Sequence, residues 1–356
     1  MNLDDLERFK RIDTQDMIGQ INDLPAQLAR AWQLGQSLPL PKLDAASLTS
    51  VVIAGLGGSA IGGDLLAAWC EPTIKVPVLI HRDYGLPAFA RHESTLVIAS
   101  SHSGNTEETL DAFSTALERK CAMVAVTTGG ELSERAQRQQ TTCWHFEHRG
   151  QPRTAVGFSF GLLLALLHRL QLVPDPSADL LEAVEAMGKV KDKSAIAVPS
   201  ALNPAKRYAG QLMGRWVSVF GAGLMAPVAR RLKTQINEIA KAGANFEFIP
   251  EADHNALAGT QHPEEVLMPH TMNLFLRSPS DHPRNRKRLD LTKQALMLDG
   301  LNTDFLDARG RSPLANMWSQ ILFGDYMAYY LAMGYGVDPT PVDALVDLKE
   351  LLKSKG

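Results

Sequence analysis

Apolar residues in this chain come in short unbroken runs, and most runs end in glycine or hydroxyl side chains. Val51-Val-Ile-Ala54 is closed by Gly55-Leu-Gly-Gly58, and a helical stretch follows from Ser59 to about Trp69. Val76–Ile80, Thr95–Ala99 and Ala122–Thr127 read as further strands, with helices over Glu107–Lys120 and Leu132–Gln140. A run without polar alternation suits a strand buried on both faces. Strands alternating with helices predict a parallel, doubly wound sheet with right-handed crossovers. The apolar stretch Thr154–Leu170 predicts a buried helix closing this half. Residues 1 to about 45 read as helical and peripheral, ending at Leu38-Pro-Leu-Pro41.

The second half repeats the theme. Trp216–Phe220 predicts a strand, ended by Gly221-Ala-Gly223, with a helix from about Leu224 to Ala242. Phe246–Ile249, Thr271–Leu276 and Asn302–Leu306 predict three more strands, and Asn285–Leu298 a helix. Long helices are expected over Pro313–Met333 and Pro341–Lys353. Val173-Pro-Asp-Pro176 is the strongest linker signal, so the chain divides into residues 1–172 and 173–356, two similar α/β domains.

Composition narrows the partners. The 356 residues are 45% hydrophobic and 21% charged, with net charge −3. That is an ordinary globular balance at a two-domain size. It gives no global pull toward nucleic acid or an anionic membrane, so neither is expected as a partner. Any anion must be held by local geometry. Cys70, Cys121 and Cys143 are odd in number and widely spaced, which predicts no disulfide framework and fits a cytoplasmic setting. The opening MNLDDLERFKRID reads as no signal peptide, and no apolar run approaches the ~18 residues of a bilayer span. The histidines form no metal-ligand spacing, so no metal is expected.

Two loops carry the candidate chemistry. Gly55-Leu-Gly-Gly-Ser-Ala60 fits G-x-G-x-x-A, a loose dinucleotide fingerprint, with Asp83 near the end of the next strand. It reads equally as a turn that needs glycine, as a pyrophosphate site of an NAD-dependent enzyme, or as part of a phosphate cradle. The second loop, Ser100-Ser-His-Ser-Gly-Asn-Thr106, leaves a strand at the same sheet edge. Hydroxyls together with a helix N-terminus suit a single phosphomonoester, and a dinucleotide does not call for them.

GLGGSAIGGD and SSHSGNTEET together resemble the sugar isomerase (SIS) fold, and more narrowly the bifunctional phosphoglucose/phosphomannose isomerase family. The resemblance covers most of the chain. It includes Leu3–Glu7, Arg11-Ile-Asp13, Pro152–Ser159, Gln235–Lys241, Pro250–Asn255, Thr340-Pro341-Val342 and Leu348-Lys349. It implies two SIS-type α/β domains, each a mainly parallel doubly wound sheet flanked by helices. It implies reversible aldose–ketose isomerisation of fructose 6-phosphate with glucose 6-phosphate and mannose 6-phosphate, through an enediolate, without metal or cofactor. By the same resemblance Gly57, Gly58, Ser59, Ser101, Ser103 and Thr106 hold the phosphate. The chain is then a homodimer in which His254 acts in trans.

Such a reaction opens the sugar ring, moves a proton between C2 and C1, and passes through an oxyanion. The resemblance gives Glu238 the role of base, His254 that of ring opening and Arg153 that of enediolate stabilisation. Lys349 becomes a second ring-opening or substrate-contacting group. Plainer roles stand beside these. Val228, Leu232, Ile236 and Ile239 mark an apolar helix face, with Arg231, Thr234, Gln235 and Glu238 on another. A lone glutamate there is ordinarily solvated. Asp253-His254-Asn255 suits helix capping. Arg153 reads as a surface arginine at a helix start, a poor place for a cation, and Lys349 as one charge on a terminal helix. A non-catalytic sugar-phosphate-binding SIS protein would keep the loops and need neither Glu238 nor His254. Trp318, Leu322, Tyr326, Tyr329, Tyr330 and Met333 read as core or dimer interface. His102, Ile239 and Ala256 depart from the family pattern, which has tyrosine, asparagine and a carboxylate there.

Overall fold

The computed structural model describes residues 2–355, apart from the side chains of Lys353 and Lys355. Three helices open the chain: α1 (Leu6–Ile12), α2 (Met17–Asn22) and α3 (Leu24–Ser37). The first sheet follows as β1 (Ser50–Ala54), α4 (Gly57–Cys70), β2 (Val78–His81), β3 (Thr95–Ser101), α5 (Glu107–Glu118), β4 (Ala122–Thr127), α6 (Gly130–Arg138) and β5 (Thr142–His145). Helices α7 (Val156–Arg169), α8 (Ser177–Ser194) and α9 (Pro204–Leu212) lead to the second sheet. That sheet runs β6 (Trp216–Ala222), α10 (Ala226–Ala240), β7 (Ala244–Ile249), α11 (Glu264–His270), β8 (Thr271–Arg277), α12 (Pro283–Leu298) and β9 (Thr303–Asp307). Helices α13 (Pro313–Tyr335) and α14 (Asp343–Lys355) close the chain.

The chain forms two compact units, Asp23–Gly188 with Gly310–Trp318, and Met1–Asn22 with Lys189–Arg309 and Ser319–Gly356. A cut at 172/173 does separate the two sheets. The units nevertheless interleave along the chain, and the Val173–Pro176 linker signal lies inside the first of them.

In the first-sheet unit all strand pairs are parallel and the order is β2-β1-β3-β4-β5. Every residue of β1 and β3 is buried, as unbroken apolar runs at the centre of a covered parallel sheet require. The edge strand β2 is only half-buried. Helix α7 is buried along nearly its whole length. Gln27 fixes its start: the buried amide donates to Thr154 O (2.9 Å) and accepts from Gly157 N (2.8 Å).

In the second-sheet unit the order is β7-β6-β8-β9, again all parallel. The N-terminal helices are helical as expected but not peripheral. Phe9 is buried and meets the rings of Tyr329 and Tyr330 at 6.1 Å each. Asp4 accepts from the buried Lys206 ammonium (2.9 Å), whose other two donors reach Ile196 O and Val198 O. Asp4 itself stays exposed, and the paired carboxylate offsets the cost of burying the lysine charge. Leu322, Tyr326, Tyr329, Tyr330 and Met333 are core, each at most 1% exposed, and Trp318, which belongs to the first-sheet unit, is fully buried.

Sequence reading missed β5, α8, α9 and α11. Arg231 and Gln235, set apart from the apolar face of α10 in the sequence pattern, are both buried. Their polar groups are drawn in by Asp325 of α13. Arg231 Nη2 reaches its two carboxylate oxygens at 3.1 and 2.8 Å, and Gln235 Nε2 donates to Oδ1 at 2.9 Å. A helix packed on two sides needs a second buried face, and here that face is polar and paired.

Candidate active site

In the first sheet the strand order reverses between β1 and β3, which is the switch point where open α/β sheets place ligands. Both candidate loops leave the sheet at this point. Helix α4 begins at Gly57 after Leu56, and α5 begins at Glu107 after Thr106. Neither helix start carries a side-chain cap. Leading backbone N–H groups of an α-helix have no intrahelical acceptor, and two such helix ends favour an anion.

The hydroxyls gather around the turn after β3. Ser101 Oγ lies 2.9 Å from Thr106 Oγ1 and accepts from Gly104 N at 3.1 Å. Ser59 Oγ accepts from His102 N at 3.2 Å, tying the β1 turn to the β3 turn. Ser103 is exposed, with its Oγ accepting from Asn105 N at 3.2 Å. Gly104 has φ +68°, and a Cβ there would stand 1.8 Å from Gly129 O, so only glycine fits the turn.

Arg153 belongs to the same place. It lies in a 3-10 turn, Pro152–Thr154, and is 5% exposed. A Cβ on Gly58 would stand 2.5 Å from Pro152 O and 3.6 Å from Arg153 Cα. The glycine turn and the segment carrying this cation are therefore in van der Waals contact. The plain reading of Arg153 as a surface arginine is corrected: the residue is buried beside the glycine turn. The structure thus brings together Gly57, Gly58, Ser59, Ser101, Ser103, Thr106 and Arg153 within one unit.

Glu238, His254 and Lys349 belong to the second-sheet unit. Glu238 is half-buried in the last turn of α10. Lys241 ends that helix in the left-handed region and donates to Glu238 O at 2.8 Å, closing off its terminal carbonyls. His254 is exposed at the end of a 3-10 turn, Glu251–His254. Its neighbour Asp253 accepts from Arg288 (2.8 Å) and Thr292 (2.6 Å), anchoring the turn to α12. Asn255 Oδ1 accepts from Ala256 N at 2.6 Å and starts the next turn. The capping role expected of this block thus falls to Asn255. Lys349 is exposed on α14.

Two residues that hydrogen-bond to His102 in the turn after β3 escaped sequence reading, Thr128 and His148. Thr128, after β4, donates its hydroxyl to His102 O at 2.6 Å and its N–H to the same oxygen at 3.2 Å. The run Thr127-Thr-Gly-Gly130 after a strand was the available signal. His148 follows β5, a four-residue strand too short to stand out.

Residues 201–352 match the family model described as the bacterial phospho-glucose isomerase C-terminal SIS domain. A bifunctional phosphoglucose/phosphomannose isomerase of Caldicellulosiruptor bescii is 38% identical over 339 residues, covering 94% of this chain and 98% of that protein. Among solved structures, a hypothetical protein of Thermus thermophilus superposes with TM-score 0.74 at 17% identity, covering 97% of this chain and 91% of that one. The tagatose-6-phosphate ketose/aldose isomerase of Escherichia coli does so with TM-score 0.68 at 15% identity, covering 91% and 94%. At those identities the two structures speak for the fold alone.

Proposed function

The chain belongs to the bifunctional phosphoglucose/phosphomannose isomerase family, and from that premise we infer that it interconverts fructose 6-phosphate with glucose 6-phosphate and mannose 6-phosphate. The observation that carries the reading is the pair of uncapped helix N-termini at the β1/β3 switch point, ringed by Ser59, Ser101 and Thr106, in a chain of this family. A sugar phosphate needs such a site because its anion must be held without a large net positive field. Arg153 is the proposed stabiliser of the enediolate. A buried cation beside the phosphate turn acts in low dielectric, where fixed charge is worth more than in water.

Glu238 is the proposed base that carries the proton between C2 and C1. His254 is the proposed ring-opening group, since an imidazole can both give and take a proton near neutrality. Lys349 is proposed to contact the sugar. The NAD-dependent reading of Gly55–Ala60 is set aside, because the family supplies a use for both loops. The free thiols Cys70, Cys121 and Cys143 are consistent with the cytoplasmic setting we propose. Among the described residues no helix is long and apolar enough to cross a membrane.

The test is direct. Purified protein given fructose 6-phosphate in the presence of a chelator is expected to form both glucose 6-phosphate and mannose 6-phosphate. Formation of neither would overturn the reading.

We further propose that two copies associate and that His254 serves the neighbouring copy. Helix α14 supports this: Leu345, Val346, Leu348, Leu351 and Leu352 are each between 48% and 60% exposed. An isolated helix of 13 residues is marginal in water, so this one calls for a covering surface. Sedimentation is expected to show a dimer, converted to monomer by Leu348→Glu with Leu352→Glu. Mixing inactive Glu238→Gln and His254→Ala chains under subunit exchange should restore activity. Only a trans arrangement leaves one intact site in the mixed dimer, and continued inactivity would exclude it.

A further inference from the structure

We propose that His102 and His148 form a latch that positions Arg153 against the phosphate turn, a role that rests on the isomerase reading of that site. His102 stands between Ser101 and Ser103. Its Nε2 lies 3.0 Å from Nδ1 of His148, in the loop that runs from β5 to Arg153. Gly150 N also donates to His148 Nδ1, at 3.3 Å. That nitrogen is therefore the acceptor, and the shared proton belongs to His102 Nε2. The bond has one direction and needs the His148 ring neutral at Nδ1.

The surroundings favour that state. The His102 ring packs edge-on to Phe146 at 6.0 Å and the His148 ring against Phe158 at 6.1 Å, while the two phenylalanines stack at 5.0 Å. Burial lowers the pKa of the His102 ring to about 4 and moves the His148 ring in the same direction. A hydrogen-bonded pair among aromatic rings carries a desolvation cost that two more apolar residues would not. As ordinary core filling the pair has little to recommend it.

Its place in the chain gives it a use. The backbone of His102 already links three strand ends, donating to Ser59 Oγ and accepting from Thr128. The ring adds the fourth, the loop after β5. That loop goes on through Gly150 and Pro152 to the point where Pro152 O touches Gly58. Without the latch, the segment bearing Arg153 keeps its packing on α4 but loses this tie to the turn carrying Ser101, Ser103 and Thr106. A cation that acts on the developing enediolate must be placed to within a fraction of an ångström, and a misplacement of about 1 Å can cost ~10²-fold in rate.

Three variants of the full chain test this. His102→Phe keeps a ring against Phe146 and removes the donor. His102→Gln keeps an N–H donor near the Nε2 position. His148→Asn keeps an acceptor near the Nδ1 position. Two readouts are taken: kcat and KM with fructose 6-phosphate, and amide hydrogen exchange over residues 147–154. His102→Phe is expected to lower kcat about tenfold with KM changed less than about threefold, because an enediolate contact is lost and ground-state binding is kept. Exchange over 147–154 should quicken. His102→Gln and His148→Asn should stay near wild type in both readouts. Unchanged exchange in His102→Phe would overturn the latch, and faster exchange with unchanged kcat would overturn its positioning role. If the wild-type protein shows no turnover, the isomerase reading fails, and the proposed role in positioning Arg153 for the reaction falls with it. The exchange arm still decides whether the rings restrain the loop.

Discussion

Replacing Glu238 by glutamine is expected to lower kcat for fructose 6-phosphate by ~10²–10⁴, the range that a positioned proton-transfer group supplies. Glutamine keeps the shape and the polar contacts but cannot hold a proton taken from carbon. Binding of the substrate should persist, because the phosphate is assigned to groups in the other unit, and KM should change by no more than a few-fold. The fold should tolerate the change, since Glu238 is half-buried near a helix end and surface-type substitutions move stability by about 0.5 kcal/mol or less. A second readout separates proton transfer from other losses. In D2O the wild-type enzyme should incorporate deuterium at C2 of glucose 6-phosphate, and Glu238→Gln should not. Unimpaired turnover or retained exchange at C2 would remove Glu238 from the mechanism.

The sheets were legible because their central strands are uninterrupted apolar runs. Val51–Ala54 and Thr95–Ala99 can only be covered on both faces, and each is followed by glycine or hydroxyls at the sheet edge. The two turns proposed to hold the phosphate were legible as turns for the same reason, since glycine and hydroxyl side chains follow each strand. β5 was hidden because four residues, Thr142–His145, carry too little pattern to stand out from a loop. Helix α8 was hidden by its charge, with Lys189, Lys191, Asp192 and Lys193 crowding its last turns. The burial of Arg153 left no trace in the sequence. It depends on Pro152 meeting a glycine almost a hundred positions earlier, and only Gly58, lacking a Cβ, allows that approach. The burial of Arg231 and Gln235 was likewise invisible, because their partner Asp325 lies about ninety positions away, as the one charged residue of a mainly apolar helix.

That buried trio should dominate stability within its unit. Arg231, Gln235 and Asp325 are each at most 3% exposed, and the guanidinium meets the carboxylate at 2.8 Å. Asp325→Ala leaves the arginine charge without its carboxylate partner, which ordinarily costs ~3–5 kcal/mol. Expected results are a large fall in the urea midpoint with little change in its slope, since no surface is newly exposed in the folded state. The pair itself is another matter. Taking two charges out of water consumes most of their mutual attraction, so an apolar pair of similar volume can be as stable. Arg231→Met combined with Asp325→Leu is therefore expected to recover much of the loss seen in Asp325→Ala, less the cost of leaving the buried Gln235 amide without its acceptor. A double variant as unstable as the single one would mean that the trio contributes net stability rather than merely avoiding an unpaired charge. Activity of the double variant then carries separate information. Arg231 and Gln235 stand on α10 within two turns of Glu238, so the trio also fixes how far that helix can rotate or slide. If stability returns and kcat stays low, the network serves to place Glu238. If both return, apolar packing holds the helix equally well and the charges serve only one another.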